Sequence, residues 1–329
     1  METPKARFIK AMRHQQPETH VSFMELEFHI HEEYIGKKPI IGSNLEKLSK
    51  KEKELAFHRN AEIFIEVANK AGHDCIRPPY RYWEIAPGVP AAYWIRDYDD
   101  VLEQIRVLKK LAGDEFFILA TCAANIMIPL GGAELLEFVD TLYERPDEIH
   151  ARCESTLSFA ISDQEQQLEA GADGIVSCAD VAFNTGPFMS PAMMDEFFFP
   201  YFKRWVESLK SKGALSIWHT DGNINTLLDR TIECGVDAIQ CVDPLGGMDI
   251  VELKRKIGDS LTLIGNIDCS LLHLGAPEKI DAQVKHVVEG CKGSGGFVLC
   301  GCNSIFEGIT AENYQVMVDA RYKYGKETR

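Results

Sequence analysis

Apolar segments of strand length recur eight times along this chain, each ending in small or polar residues and each followed by a stretch of helical periodicity. They are HVSFMELE (20–27), DCIRPP (74–79), FFILATCAA (116–124), GIVSCAD (174–180), LSIWHTD (215–221), AIQCVD (238–243), LTLIGNID (261–268) and GFVLCGCN (296–303). Between and after them, helices are predicted over 44–70, 98–110, 134–145, 147–170, 191–212, 224–233, 249–257, 277–291 and 310–324. Near-continuous apolar strands are buried on both faces. Strand alternating with helix eight times predicts the α/β class and a (β/α)8 TIM barrel. A doubly wound open sheet is the alternative, but no Gly-x-Gly-x-x-Gly follows the first strand.

The 329 residues suffice for one barrel of about 250 residues plus extensions, so 1–329 is read as a single domain. Its first residues, METPKARFIKAMRHQQPE, predict an N-terminal helical extension over 1–19 with Phe8, Ile9 and Met12 on one side. Local signals agree with the boundaries. Ser190 before Pro191 suits a helix start, Thr310 with Asn313 another, and Gly213 and Gly258 stand where left-handed helix stops are wanted.

Thirty-five Lys and Arg against 50 Asp and Glu give a net charge of −15, which repels nucleic acid and anionic membranes. No apolar run approaches the ~18 residues of a membrane span, and the N-terminus lacks a signal-peptide core. The expectation is a cytosolic protein acting on a small molecule or a protein partner. Ten cysteines without disulfide-scaffold spacing are then mostly free thiols in the core.

In a TIM barrel the active residues stand at the C-terminal strand ends. The sequence thereby nominates Glu25 and Glu27, Arg77, Thr121 and Asn125, Asp180, His219 and Asp221, Asp243, Asn266 and Asp268, and Cys300, Cys302 and Asn303. In SIWHTDGN, alternation along a strand puts His219 and Asp221 on one face. An ordinary strand leaving the core has the same pattern. Cys300 and Cys302 in VLCGCNS are likewise two apart, and their alternative reading is a pair of small residues packing the barrel mouth. A thiolate from strand eight meeting His219 and Asp221 would give a mixed nitrogen, oxygen and sulfur set that suits zinc, with a strand-one carboxylate as fourth ligand. Charged residues at a strand end inside a barrel are costly unless paired or metal-bound, so Glu25 or Glu27 is expected to have a partner in the site. His29 and His31 follow in the loop as ligands, substrate contacts or surface residues.

Substrate-binding candidates are Asp180 and Asn184 in SCADVAFNTGPFMSP, Arg77 and Tyr80 in DCIRPPYRYWE, and Asn266 and Asp243 at later strand ends. CVDPLGGMD is Gly-rich but lacks the Lys and Ser/Thr of a phosphate loop.

The stretches MSPAMMDEFFFPYFKRWVESLKSKGALSIWHTDGN, GVDAIQCVDPLGGMDIVELKRKIG, LTLIGNID and GGFVLCGCNSI, with the opening RFIKAMRHQQPETHVSFMELE, together resemble the uroporphyrinogen decarboxylase superfamily over nearly the whole chain. Its porphyrinogen decarboxylases carry an arginine-rich first loop for a polycarboxylate. Here that place reads MELEFHIHEEYIG, acidic and without arginine, and repels such a substrate. The zinc-dependent cobamide methyltransferase branch is similar in the places that matter. Its His-x-Cys and Gly-Cys metal signature falls on His219 and Cys302, with Asp221 where the first Cys would be.

An Asp oxygen makes a harder site than a thiolate, which suits polarising an ether oxygen as its methyl group leaves. The resemblance implies zinc at His219 and Cys302, with Asp221 at the third position, and a methyl acceptor in the form of a cobalamin-type corrinoid carried by a separate protein; Glu25, or else Glu27, is expected as the further ligand or acid. The Asp-x-His-x-x-Gly of a corrinoid-binding domain is missing, since HTDGN has the wrong order. The leading expectation is a corrinoid-dependent methyltransferase taking methyl from a small methoxylated, aromatic-ether or otherwise methylated donor, with His219, Asp221, Glu25 and Glu27 as catalytic groups. The alternatives are a metal-independent decarboxylase of a small acid, using Asp180 or Asp221, and a ligand-binding module without turnover. The aromatic segment DEFFFPYFKRW leaves a homodimer open.

Overall fold

The structure, a computed structural model, describes residues 2–86, 88–90, 92–124, 128–129 and 132–326. Eight parallel strands form the barrel: β1 Ser22–Phe23, β2 Cys75–Ile76, β3 Phe117–Cys122, β4 Gly174–Cys178, β5 Leu215–His219, β6 Ala238–Gln240, β7 Thr262–Ile267 and β8 Phe297–Gly301. Their order runs β1-β8-β7-β6-β5-β4-β3-β2. The Asp74 N–H donates to the Phe23 carbonyl at 2.7 Å, which brings β2 back to β1 and closes the ring. The predicted TIM barrel is the observed fold.

Side chains fill the barrel in layers. Met24, Leu26, Cys75, Phe117, Leu119, Val176, Ile217, Ala238, Ile264, Val298 and Cys300 form an inner cluster, separate from the larger layer between sheet and helices. The N-terminal helix Pro4–Met12 belongs to this inner cluster through Phe8, Ala11 and Met12. Phe8 lies with its ring centroid 4.7 Å from that of Phe117. The extension is thus a plug in the N-terminal mouth, which forces the ligand site to the opposite rim.

Most predicted helices are present with shifted ends. Ser49 and Glu52 build a capping box that starts Lys50–Ala71, and Gly72 in the left-handed region stops it. Ser190 and Thr310 cap as expected, accepting from the N–H groups of Met193 and Asn313. Gly213 is left-handed at φ 72°, whereas Gly258 continues in the right-handed region at φ −65°. The predicted helix 191–212 is two helices, Pro191–Phe197 and Phe199–Ser211. Pro200 has no N–H to offer the preceding turn, so the ladder breaks at Phe198. Phe197, Phe198, Phe199, Phe202 and Trp205 are buried within the chain, which removes DEFFFPYFKRW as a sign of a dimer.

Several strands are shorter than their apolar runs. β1 ends at Phe23, and Glu27–Phe28 instead pairs with Ser304–Ile305 beyond the barrel. Short pairs not anticipated from the sequence, Tyr80–Arg81 with Trp94–Ile95 and Ala182–Phe183 with Gly186–Pro187, build the rim.

Candidate metal centre

Two groups of metal-type donors meet at the C-terminal strand ends. Asp180, His219 and Asp221 offer ligand atoms within 4.8 Å of one another, and so do Cys241, Asp243 and Cys302. They adjoin through the backbone, because the Gly222 N–H donates to Asp243 Oδ2 at 3.0 Å. Gly222 has φ 84°, and a Cβ there would stand 2.6 Å from the Ala182 carbonyl oxygen. The glycine of HTDGN is what allows the β5 loop to lie against the loop after β4.

His219 ends β5, buried, with its Nδ1 2.5 Å from Gln240 Oε1 on β6 and its Nε2 3.9 Å from Asp221 Oδ1. Asp221 lies beyond the strand, so its approach to His219 comes from the turn and not from strand alternation. Its N–H donates to Asp180 Oδ1 at 2.9 Å, and its Oδ2 accepts from Asn303 at 2.6 Å. Its Oδ1 is buried without a hydrogen-bond partner. Burial first, and then the charges of Asp180 and Asp243, push the Asp221 carboxyl above its usual range against the pull of His219. Three carboxylates gathered around an unpartnered oxygen call for a cation.

Cys302 follows β8, and its Sγ is 3.6 Å from Asp243 Oδ1. Cys241 follows β6 with its Cα 5.1 Å from that of Cys302, and the two sulfurs are paired as a disulfide. The other eight cysteines are free. Sequence reasoning passed over Cys241 because one Cys in an apolar run reads as a small core residue; the Cys-x-Asp spacing of 241 and 243, echoing His-x-Asp at 219 and 221, was the available signal. Cys300 lies inside the barrel and belongs to neither donor group.

The expected shared face of Glu25 and Glu27 is not found, because the chain leaves the strand before Glu25. Glu25 is buried behind β8, accepting from the Gly301 N–H at 2.9 Å, with Cys300 Sγ at 3.6 Å. Burial pushes its carboxyl up to about 8 despite that hydrogen bond. It falls in neither donor group. Glu27 pairs with Arg77 at 3.2 Å and with His29 at 2.8 Å. Burial works to raise its pKa, but these two partners hold it down to about 2, so Glu27 stays charged. His31, placed in a loop from the sequence, begins the short helix His31–Ile35 and is buried.

Arg77 is a buried clasp whose guanidinium also reaches Thr121 Oγ1 at 2.7 Å and the Leu26 carbonyl at 3.0 Å, with Tyr80 stacked on it. Tyr80 lines a cavity of about 290 Å³ with Arg81, Tyr82, Trp83, Thr121, Cys122, Ala123, Phe159, Asp163 and Cys178. Cys178 is in register with His219 on the neighbouring strand, so this aromatic cavity opens beside the donor groups. Asn184 is exposed at the tip of a hairpin, and both amide hydrogens of Asn266 are taken by the carbonyls of Val242 and Met248. Asn266 therefore holds the loop after β6. Asn125 lies outside the described residues.

A TIM barrel plugged at one mouth and gathering imidazole, carboxylate and cysteine sulfur groups at the other defines the class of this molecule. Residues 88–324 match the uroporphyrinogen decarboxylase (URO-D) family, and the chain belongs to it. It is similar to the methylcobamide:CoM methyltransferase MtaA of Methanosarcina barkeri, 26% identical over 227 residues that cover 68% of this chain and 63% of that protein. It is also similar to the uroporphyrinogen decarboxylase of Chlorobium phaeovibrioides, 29% identical over 197 residues, covering 57% of this chain and 54% of that one. The matches thus span less than two thirds of the length of these relatives. A methyltransferase from Methanosarcina mazei has the same fold, with a TM-score of 0.73 and 19% identity over 98% of this chain and 99% of that one. Among the described residues no helix is long and apolar enough to cross a membrane.

Proposed function

We propose that the chain is a methyltransferase that moves a methyl group from a small methoxylated or methylated donor to the cobalt(I) of a corrinoid held by a separate protein. The observation that carries this reading is the pair of adjoining donor groups, with Asp221 Oδ1 buried and unpartnered, next to an aromatic-lined cavity. Likeness to a methylcobamide methyltransferase supports it further.

The residues fit zinc when the Cys241–Cys302 disulfide is reduced: His219 Nε2 and a carboxylate oxygen of Asp221, with Asp180 beside them, then adjoin a soft pair of thiolates. When bound there, zinc supplies Lewis acidity at the atom that releases the methyl group. The protein's own part is orientation. Tyr80, Tyr82, Trp83 and Phe159 would seat a flat apolar donor, while the Glu27–Arg77 ion pair keeps that guanidinium from acting as a free anion receptor. The acidic cluster opposes a carboxylate substrate, which argues against the decarboxylase alternative.

One observation favours a second reading of the same site. With the disulfide reduced, Cys241 would give the centre a second sulfur even though Asp221 stands where the cobamide methyltransferases carry their first Cys, making it softer than His219, Asp221 and Cys302 alone. A thiol-rich site suits methyl transfer to or from sulfur. Assays of methoxyarenes and of thiols, each with a corrinoid protein, separate the two. His219→Ala is expected to keep the fold by circular dichroism, lose bound zinc and lower methyl transfer by at least a hundredfold, on the order of 3 kcal/mol of barrier. Normal turnover in that variant would end the proposal.

A further inference from the structure

We infer that Gln240 is a positioning residue that decides which nitrogen of His219 is presented to the donor cluster. Gln240 is fully buried on β6 and stands in register with His219 on β5. Its amide nitrogen donates toward the Gly301 carbonyl at 3.5 Å and toward Cys300 Sγ at 3.6 Å, reaching across the barrel interior to β8. A carbonyl oxygen only accepts, so the end of the amide facing Gly301 is its NH2. The other end, Oε1, then faces His219 Nδ1 at 2.5 Å. That oxygen also only accepts, so Nδ1 carries the hydrogen. In the neutral ring this leaves the lone pair on Nε2, the nitrogen nearest Asp221 Oδ1.

The same residue sets the backbone that follows. The Thr220 N–H donates to the Gln240 carbonyl at 2.9 Å, fixing the chain between His219 and Asp221. Gln240 thus holds the imidazole by its side chain and the start of the loop by its main chain, and its anchor is the strand that leads to Cys302. A hydrogen bond on the far nitrogen of a ligating histidine commonly changes metal affinity by about 10–100-fold on removal.

Two measurements test this. The first needs no variant and no metal: nitrogen NMR of the histidine rings in the metal-free wild type should show His219 protonated at Nδ1 and bare at Nε2. A ring protonated at Nε2 overturns the inference. The second compares zinc affinity of wild type and Gln240→Met, by competition with a chelator, with circular dichroism confirming the fold. Methionine keeps the volume and removes the side-chain amide's hydrogen bonds, so a loss of about 10–100-fold is expected, with Gln240→Glu, which still accepts from Nδ1, restoring part of it. Affinity within twofold of wild type in Gln240→Met overturns the role. This second test rests on His219 as a zinc ligand. Wild type that binds no zinc would sink the methyltransferase reading, while the ring spectrum would still decide the tautomer.

Discussion

A carboxylic acid buried as deeply as Glu25 keeps its proton far above the usual range, and this has a measurable sign. The folded chain holds that proton up to about pH 8, whereas the unfolded chain releases it near 4.5. The stability this group supports is therefore full below about pH 4.5, declines as pH rises, and is lost once pH passes about 8. Glu25→Gln should remove this decline and stabilise the protein at pH 8.5 by on the order of a few kcal/mol relative to wild type, while leaving pH 4.5 nearly unchanged. Urea midpoints at the two pH values check it, and an equal pH dependence in both proteins would refute it. At this scale the sequence was legible where chemistry is local. His219 and Asp221 announce themselves as two ligand-type residues closing an apolar run. Cys241 does not, because its partner Cys302 is 61 residues away and only the curl of the barrel from β6 to β8 joins them. Glu25 misled because a period-2 reading was carried past the point where the chain leaves the strand.

Among the elements, the N-terminal helix does what no strand does, since it closes the barrel's lower mouth with Phe8 against Phe117. Phe8→Ala would leave a cavity between plug and barrel, with an expected cost of about 3–5 kcal/mol in urea unfolding. A loss below about 1 kcal/mol would mean that the helix is not part of the core. The apolar face of this helix was readable from Phe8, Ile9 and Met12, but not its destination. Likewise the alternation of strand and helix revealed the barrel, whereas the rim hairpins escaped notice. Their strands are two residues long, as at Ala182–Phe183, too short for any periodicity to register. The break at Phe198 was signalled by Pro200 and was overridden in the reading by the continuous aromatic run around it.

At the scale of the whole molecule, the plug and the rim divide the barrel into a stability end and a chemistry end. The lower mouth is filled with Phe8, Ala11 and Met12, and the upper one carries the polar and sulfur groups of six strand ends or the loops just beyond them, from Asp180, His219, Asp221, Cys241, Asp243 and Cys302 to the Glu27–Arg77 pair at its edge. In a chain of net charge −15, drawing Asp180, Asp221 and Asp243 together in two adjoining groups is costly without a cation. Family membership leaves decarboxylation and methyl transfer both in view, and the proposed metal-binding role of the donor groups is what would separate them. The most direct test is the metal content of protein purified without oxygen under reducing conditions, by elemental mass spectrometry, for wild type beside Cys302→Ala. The account predicts about one zinc per wild-type chain and its loss in the variant. Wild type free of metal would contradict it, and would make His219 and Asp221 acid–base or substrate-binding residues instead.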